Sequence, residues 1–342
     1  MIILKFGNMK LINLNKVLLL FVLILSIGSC TKNYEEINTN PNSPTDVPAK
    51  NIFTNVIINS VGNELGGWIQ HTYLGCWSQQ WCKVQYIDED RYQTRNMTGY
   101  FEGPYTGTLM DLQIILDKTQ QEIADGKDIS SNTTLLAAAK IMRVWIFDYL
   151  TDLFGDVPYS EALQGLQKEG ITTPKYDTQE SIYTDFFSEL EEANTLLDLS
   201  TVTSFGSADL LFDGDPEKWK KFGNSLRLRL LNRVAGTPWA FTYNMVGGGQ
   251  VTTNPGPAAY ANADADIATI LGNPSTYPIM ESNDDDVKLE YPGIPYRNPI
   301  FNALYSRTDQ AISETMVNWL SLIHISEPTR PLYISYAVFC LK

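Results

Sequence analysis

Few side chains in this sequence could carry out chemistry. Histidine occurs twice, at His71 and His324. Neither a His-Glu-x-x-His pair nor a zinc-type Cys/His grouping is present. The segment from Gly223 through Ser225 to Arg227 follows a nucleophile elbow until its last position, where the elbow requires glycine. The glycine run ending at Gly249 lacks the Lys-Ser/Thr of a phosphate-cradling loop. Carboxylates remain, since glycoside hydrolysis needs only two of them. Glu281, Asp284, Asp285 and Asp286 cluster, as do Asp264 and Asp266. Adjacent acids in a polar loop are ordinarily solvated or hold a hard cation such as calcium. No apolar pocket beside them would raise one pKa, as a general acid requires. The expectation is therefore a protein that is not an enzyme and has neither metal nor cofactor.

Carbohydrate binding needs a different kit: aromatic faces for the apolar side of a pyranose, and planar polar groups for its hydroxyls. The stretch from Tyr73 to Tyr105 supplies that mixture, with Trp77, Trp81, Gln85, Tyr86, Asp88, Asp90, Arg91, Tyr92 and Asn96. Tyr86, Arg91 and Tyr92 fall off the helical period and are the first candidates. Trp77 and Trp81, four apart, would share one helix face, where core packing competes with ligand contact. Tyr291 and Tyr296, followed by Arg297 and Asn298, form a second set. A solitary histidine such as His71, on a partly apolar helix, reads as structural.

The elements that must position these residues are mostly helical. Ile52, Val56, Ile57, Val61, Leu65, Trp68 and Ile69 recur at helical spacing and predict a helix from Asn51 to about Trp81. Residues 83–96 lose the period and read as a loop. Further stripes predict helices from Leu109 to about Gly126 and from Leu135 to Leu153. A third opens at Asp177, which with Glu180 matches a capping box. A fourth opens at Asp215-Pro216, a cap followed by proline in the first turn, with Trp219, Phe222, Leu226 and Leu230 inside. Paired helices that each bury one stripe suggest an α-solenoid or TPR-like stack, although no regular TPR repeat is present. From Thr237 to Asn298 the chain is rich in Gly, Pro and Asn, and predicts long ordered loops with a few short strands. Helical pattern returns from Ile300 to Leu320. The fold class is thus mainly α, a TPR-like scaffold carrying long irregular loops.

The 342 residues carry 25 basic and 39 acidic groups, a net charge of −14. Such a surface repels phosphate backbones and excludes nucleic acid as the natural partner. It also excludes membrane attraction through a basic patch. Membrane attachment has another source. Lys5, Lys10 and Lys16 precede an apolar run from Val17 to Ile27, and Gly28-Ser29-Cys30 follows. A basic start, a short apolar segment and small residues at a cut describe a secretory signal. The run is too short for a spanning helix, which needs roughly 20 apolar residues. The cysteine after the small pair resembles a bacterial lipobox, with Cys30 lipidated as the mature N-terminus and Met9 the more natural start. Residues 30–50, rich in Asn, Pro, Thr and Ser, read as an extended tether. Cys76 and Cys82 leave two possibilities open, a disulfide or two free thiols; on one helix their spacing suits a bridge poorly.

Several blocks converge on one family. NYEEINTNPNSPT follows Cys30, AAAKIMRVWIFDYLTDLFGDVPYSEAL occupies 137–163, TPKYDTQESIYTDFFSELEEANTLL occupies 173–197, and GDPEKWKKFGNSLRLRLLNRVAG occupies 214–236. In type and order they resemble the SusD/RagB family of Bacteroidota outer-membrane lipoproteins, in its SusD-like branch. The resemblance implies four TPR-like helix pairs with an irregular ligand-binding part. It also implies a lid that captures glycans over a SusC-like TonB-dependent transporter, with ligand-contacting aromatics in a loop region comparable to 73–105. Within the blocks themselves, Trp219, Asn224, Arg227, Arg229 and Arg233 read as packing and buried polar pairing. The acids Glu35 and Glu36 near the lipid cysteine suit export to the cell surface. SETMVNWL looks like the lead-in to a further family segment, yet residues 321–342 resemble translated adapter sequence, so a truncated chain with a non-native tail is expected. The organisation is then a signal at 1–29, a tether at 30–50, a SusD-like domain at 51–320 and the tail. Two other functions stay open: a lid for another nutrient such as peptides, and a surface glycosidase.

Overall fold

The computed structural model describes residues 47–65, 69–93, 96–165, 170–235, 241–245, 249–253 and 260–325. Cys30, the signal, most of the tether, Trp68 and residues 326–342 lie outside them. The elements below belong to the unit that starts at Pro48.

The first helix, α1 (Ala49–Asn59), buries Phe53, Val56 and Ile57. Its continuation widens into two π-helical stretches, Ser60–Leu65 and Ile69–Leu74, then a single turn Gly75–Trp77. Such wide turns inside helices are frequent at functional sites. Left-handed Gln79 (φ 57°) reverses the chain into a short strand, β1 (Trp81–Lys83). Trp77 and Trp81 therefore do not share one helix face, because the reversal intervenes. Cys76 sits on the helical turn and Cys82 on β1, and both are free thiols. Burial pushes the Cys76 thiol up to about 12.

Helices α2 (Thr98–Thr106), α3 (Thr108–Ala124) and α4 (Ile129–Phe154) follow. The strands β2 (Val157–Pro158) and β3 (Tyr176–Asp177) pair before α5 (Gln179–Leu196) and α6 (Pro216–Val234). Each long helix packs on the next: α1 on α3, α3 on α4, α4 on α5, α5 on α6. This nearest-neighbour stacking makes a helical scaffold of TPR type. Its core includes Trp219, Phe53, Phe147 and Phe186, all essentially buried.

Capping follows the sequence in one case and departs from it in another. Asp215 caps α6, its Oδ1 accepting from the backbone N–H groups of Glu217 at 2.9 Å and Lys218 at 3.4 Å. At α5 the cap is Thr178, not Asp177. Asp177 is held in β3 opposite Val157, and its carboxylate instead accepts from the backbone N–H of Ser160 at 2.7 Å and of Tyr159 at 3.3 Å. Strand pairing thus moved the helix start one residue on.

Beyond α6 come the hairpin β4 (Phe241–Met245) and β5 (Gly249–Thr253), α7 (Ala263–Gly272), α8 (Pro299–Leu304), β6 (Gln310–Ile312) and α9 (Glu314–Ile325). The helix α7 lies in a stretch expected to hold only loops and strands. It forms because Ile270 buries against the core while Asp264 and Asp266 sit in its first turn, where the helix dipole favours acids. The expected boundary at 320 falls inside α9.

Candidate functional site

Pairing of β1 with β6 sets Trp81 opposite Ile312 and Lys83 opposite Gln310. This ladder brings the 310–312 segment beside the first candidate set, from which it is far apart in sequence. On its near side, Asp90 closes the 83–90 loop by accepting the Lys83 N–H at 2.5 Å. The closed loop presents Tyr86 and Tyr92, both in the left-handed region and both mostly exposed, with Arg91 exposed between them. A non-glycine residue held at positive φ is uncommon and costs backbone energy. Tyr92 Oη donates to the Trp77 carbonyl at 3.3 Å, which fixes its ring beside the half-buried Trp77. Trp81 is half-buried over Gly75, where its indole occupies the place of a Cβ.

From Trp77 a line of rings runs inward. Trp77 meets Tyr73 edge-on at 5.6 Å, and Tyr73 meets Tyr100 at 6.4 Å. Tyr100 opens onto a cleft of about 390 Å³ lined by Asn59, Gly99, Tyr100, Gly103, Pro104 and Thr108, with Tyr149 and Gly107 completing the wall. The residues of that wall carry no formal charge, and burial pushes the Tyr100 phenol up. The glycines keep the cleft open: a Cβ added at Gly99 or Gly103 would meet nothing within 4 Å.

In the second candidate set, Tyr296 is exposed, and Arg297 stacks over the Tyr305 ring at 4.3 Å and faces Phe301 at 6.0 Å. Tyr291 is half-buried against the first π-helical stretch, its Oη 3.8 Å from where a Gly62 Cβ would be. Asn298 caps α8, accepting from Ile300 and Phe301. Sequence reasoning missed Phe301 and Tyr305, one helical turn apart and both exposed, and also Tyr100 and Tyr149 in the cleft. The glycines at 99, 103 and 107 were the available signal for the cleft.

His71 is buried, its Nδ1 2.7 Å from Gln310 Oε1, so it ties the π-helical stretch to β6. Burial lowers its pKa. Of the loop acids, Asp285 is engaged. Asp285 accepts from the Glu281 and Ser282 N–H groups at 3.0 and 3.3 Å and from Lys221 Nζ at 2.9 Å, and its backbone partner Glu281 with Lys221 holds its pKa low. It pins the 281–286 turn to α6. Among the described residues no group of three or more His, Cys, Asp or Glu could hold a metal, and no helix is long and apolar enough to cross a membrane.

The motif residues of α6 serve the scaffold. Trp219 Nε1 donates to Asp209 Oδ2 at 2.7 Å, and Asp209 also accepts from the Leu211 and Gly214 N–H groups at 2.9 Å. Asn224 bridges Asn194 and the Pro278 carbonyl, each at 3.0 Å. Arg227 pairs with Glu191, Arg229 with Asp148 and Arg233 with Asp152.

A family of SusD-like proteins, described as starch-binding and associating with the outer membrane, matches residues 41–246 and 255–338. A chitin-binding protein of known structure is 26% identical, with a TM-score of 0.60 over 80% of this chain and 52% of its own. A chitin-binding SusD homologue from Flavobacterium johnsoniae is 22% identical, with a TM-score of 0.59 over 78% of this chain and 50% of its own. A SusD/RagB family protein from Bacteroides thetaiotaomicron is 23% identical, with a TM-score of 0.62 over 83% and 53%. The chain spans about half the length of these solved structures. No curated protein matches.

Proposed function

We propose, on the premise that this chain belongs to the SusD/RagB family of outer-membrane-associated, starch-binding proteins, that it is a non-catalytic glycan-binding lipoprotein serving a SusC-like TonB-dependent transporter. One observation carries the reading. A line of aromatic rings, from Tyr92 and Trp77 through Tyr73 to Tyr100, leads to an uncharged cleft in a strongly acidic chain. Neutral walls and aromatic faces suit a neutral sugar, whose C–H side packs on rings while its hydroxyls meet side-chain amides and hydroxyls. Tyr86, Arg91 and Tyr92 form the outer contact and Trp77 and Trp81 its floor. Tyr291 and Tyr296 form a second contact. The engagement of Asp285 by Lys221 and backbone argues against a hydrolytic role for that acid.

The lipobox reading of residues 17–30 supports an acyl anchor at Cys30 and a 30–50 tether, with the domain facing outward beside its transporter. Replacing Cys30 by Ser should abolish incorporation of labelled palmitate, while retained label would overturn the anchor. Calorimetric titration with chito- and malto-oligosaccharides tests the binding role. The expected result is saturable binding, weakened about tenfold, or about 1.4 kcal/mol, by combined Tyr86→Ala and Tyr92→Ala substitution. No affinity for any oligosaccharide, with binding of peptides instead, would make the protein a lid for another nutrient.

A further inference from the structure

Where α4, α5 and α6 meet, one phenol makes short contacts to two acids. Tyr183 Oη, on α5, lies 2.9 Å from Asp148 Oδ1 and 3.0 Å from Asp152 Oδ1, both on α4. A phenol has one proton to donate. With both acids ionised, one contact is an oxygen facing a carboxylate without hydrogen between them. From α6, Arg229 reaches Asp148 Oδ2 at 2.9 Å and Arg233 reaches Asp152 Oδ1 at 2.8 Å. Those guanidiniums are about half exposed, whereas the Asp148 side chain is 9% exposed and that of Asp152 24%. The cations therefore pair from the solvent side and leave the inner contact short of a proton.

We infer that Asp148, Tyr183 and Asp152 form a proton-sharing clasp. Protonated Asp148 donates to Tyr183, and Tyr183 donates to Asp152, which closes the α4–α5–α6 joint in mildly acidic surroundings. Loss of the shared proton loosens the joint. Assignment to Asp148 follows from its deeper burial and from Asp152 Oδ1 already accepting from Arg233. Burial, then the neighbouring charge of Asp148, pushes the Asp152 carboxyl up to about 6, and burial pushes Asp148 up as well. The proton belongs to the pair and titrates as one step. Asp152 also lies in the last turn of α4, where the helix dipole disfavours an anion. Tyr149, on the turn between the two acids, forms part of the cleft wall, so the clasp steadies a helix that borders the site. The inference stands whatever the cleft binds.

The sign follows from linkage. Burial pushes both acids up, so the folded pair holds a proton beyond the pH near 4 at which an ordinary carboxyl releases it. Stability from this group is therefore complete below about pH 4 and is lost as pH rises through the raised pKa of the pair. The test is thermal unfolding of the chain at successive pH values between 4.5 and 8.5, beside Asp148→Asn, whose amide donates to Tyr183 at every pH. The expected result is a midpoint that falls with rising pH in the parent, and a flatter dependence with a higher midpoint at pH 8 in the variant. An unchanged slope in the variant would overturn the clasp. Carbon-13 titration of aspartate carboxyls in the parent decides the matter even where the variant does not fold. One carboxyl of the pair should titrate near pH 6; both titrating in the ordinary carboxylate range would overturn it.

Discussion

The same residue types meet opposite fates in two regions of this molecule. In the α3–α6 scaffold, aromatics are consumed by packing: Phe147, Tyr159 and Phe186 stack edge-on at 4.7 and 5.8 Å, and Tyr159 Oη donates to Asp185 at 2.5 Å. Around the β1–β6 ladder, Tyr86, Tyr92, Tyr296 and Tyr305 are 69, 59, 70 and 60% exposed. Arg143 and Arg229 of the scaffold bind the buried Glu189 and Asp148, while Arg297 lies over exposed rings. The scaffold uses its side chains to hold helices together, and the second region leaves its rings exposed.

That contrast can be broken by substitution. Trp219→Ala in the scaffold should cost about 3–5 kcal/mol, read by chemical denaturation, because it empties a buried site and strips Asp209 of a donor. A loss below 1 kcal/mol would erase the distinction. Gly223→Ala should cost up to about 2 kcal/mol, since its Cβ would lie 2.9 Å from Ile141 Cδ1 and the crowding is only partly offset by the helix preference of alanine. The same change at Gly99 should stabilise by up to about 1 kcal/mol, because no neighbour fills that space, while weakening ligand binding in the cleft. Asp215→Ala should cost about 1 kcal/mol through the lost cap of α6. Tyr86→Ala should leave stability within about 0.5 kcal/mol and lower glycan affinity. A destabilisation as large as that of Trp219→Ala would move Tyr86 into the scaffold class.

The scaffold was the more legible region. Stripes such as Leu109, Leu112, Ile115 and Leu116 state both that a helix forms and which face it buries, because the 3.6-residue period is local. Asp215-Pro216 gave the start of α6 for the same reason. Asp177 misled because its partners at 159–160 lie across a strand pair, and helix α7 was hidden by the turn residues around it. Of the ligand candidates, the exposed tyrosines could be named from their loss of period. The cleft could not, since α1, α2, α3 and α4 all contribute to it.

Sequence alone thus determined the long scaffold helices, their inner faces, the acidic charge, the absence of known catalytic motifs and the family resemblance. Each is a property of neighbouring residues or of the sum over the chain. Only the tertiary structure decided that residues about 230 positions apart pair as β1 and β6, that Asp285 pins a turn rather than waiting for a substrate, and that the single phenol of Tyr183 meets both Asp148 and Asp152. Those outcomes depend on distances across the fold and on burial, which changes what a charge costs, and neither quantity is written in local spacing.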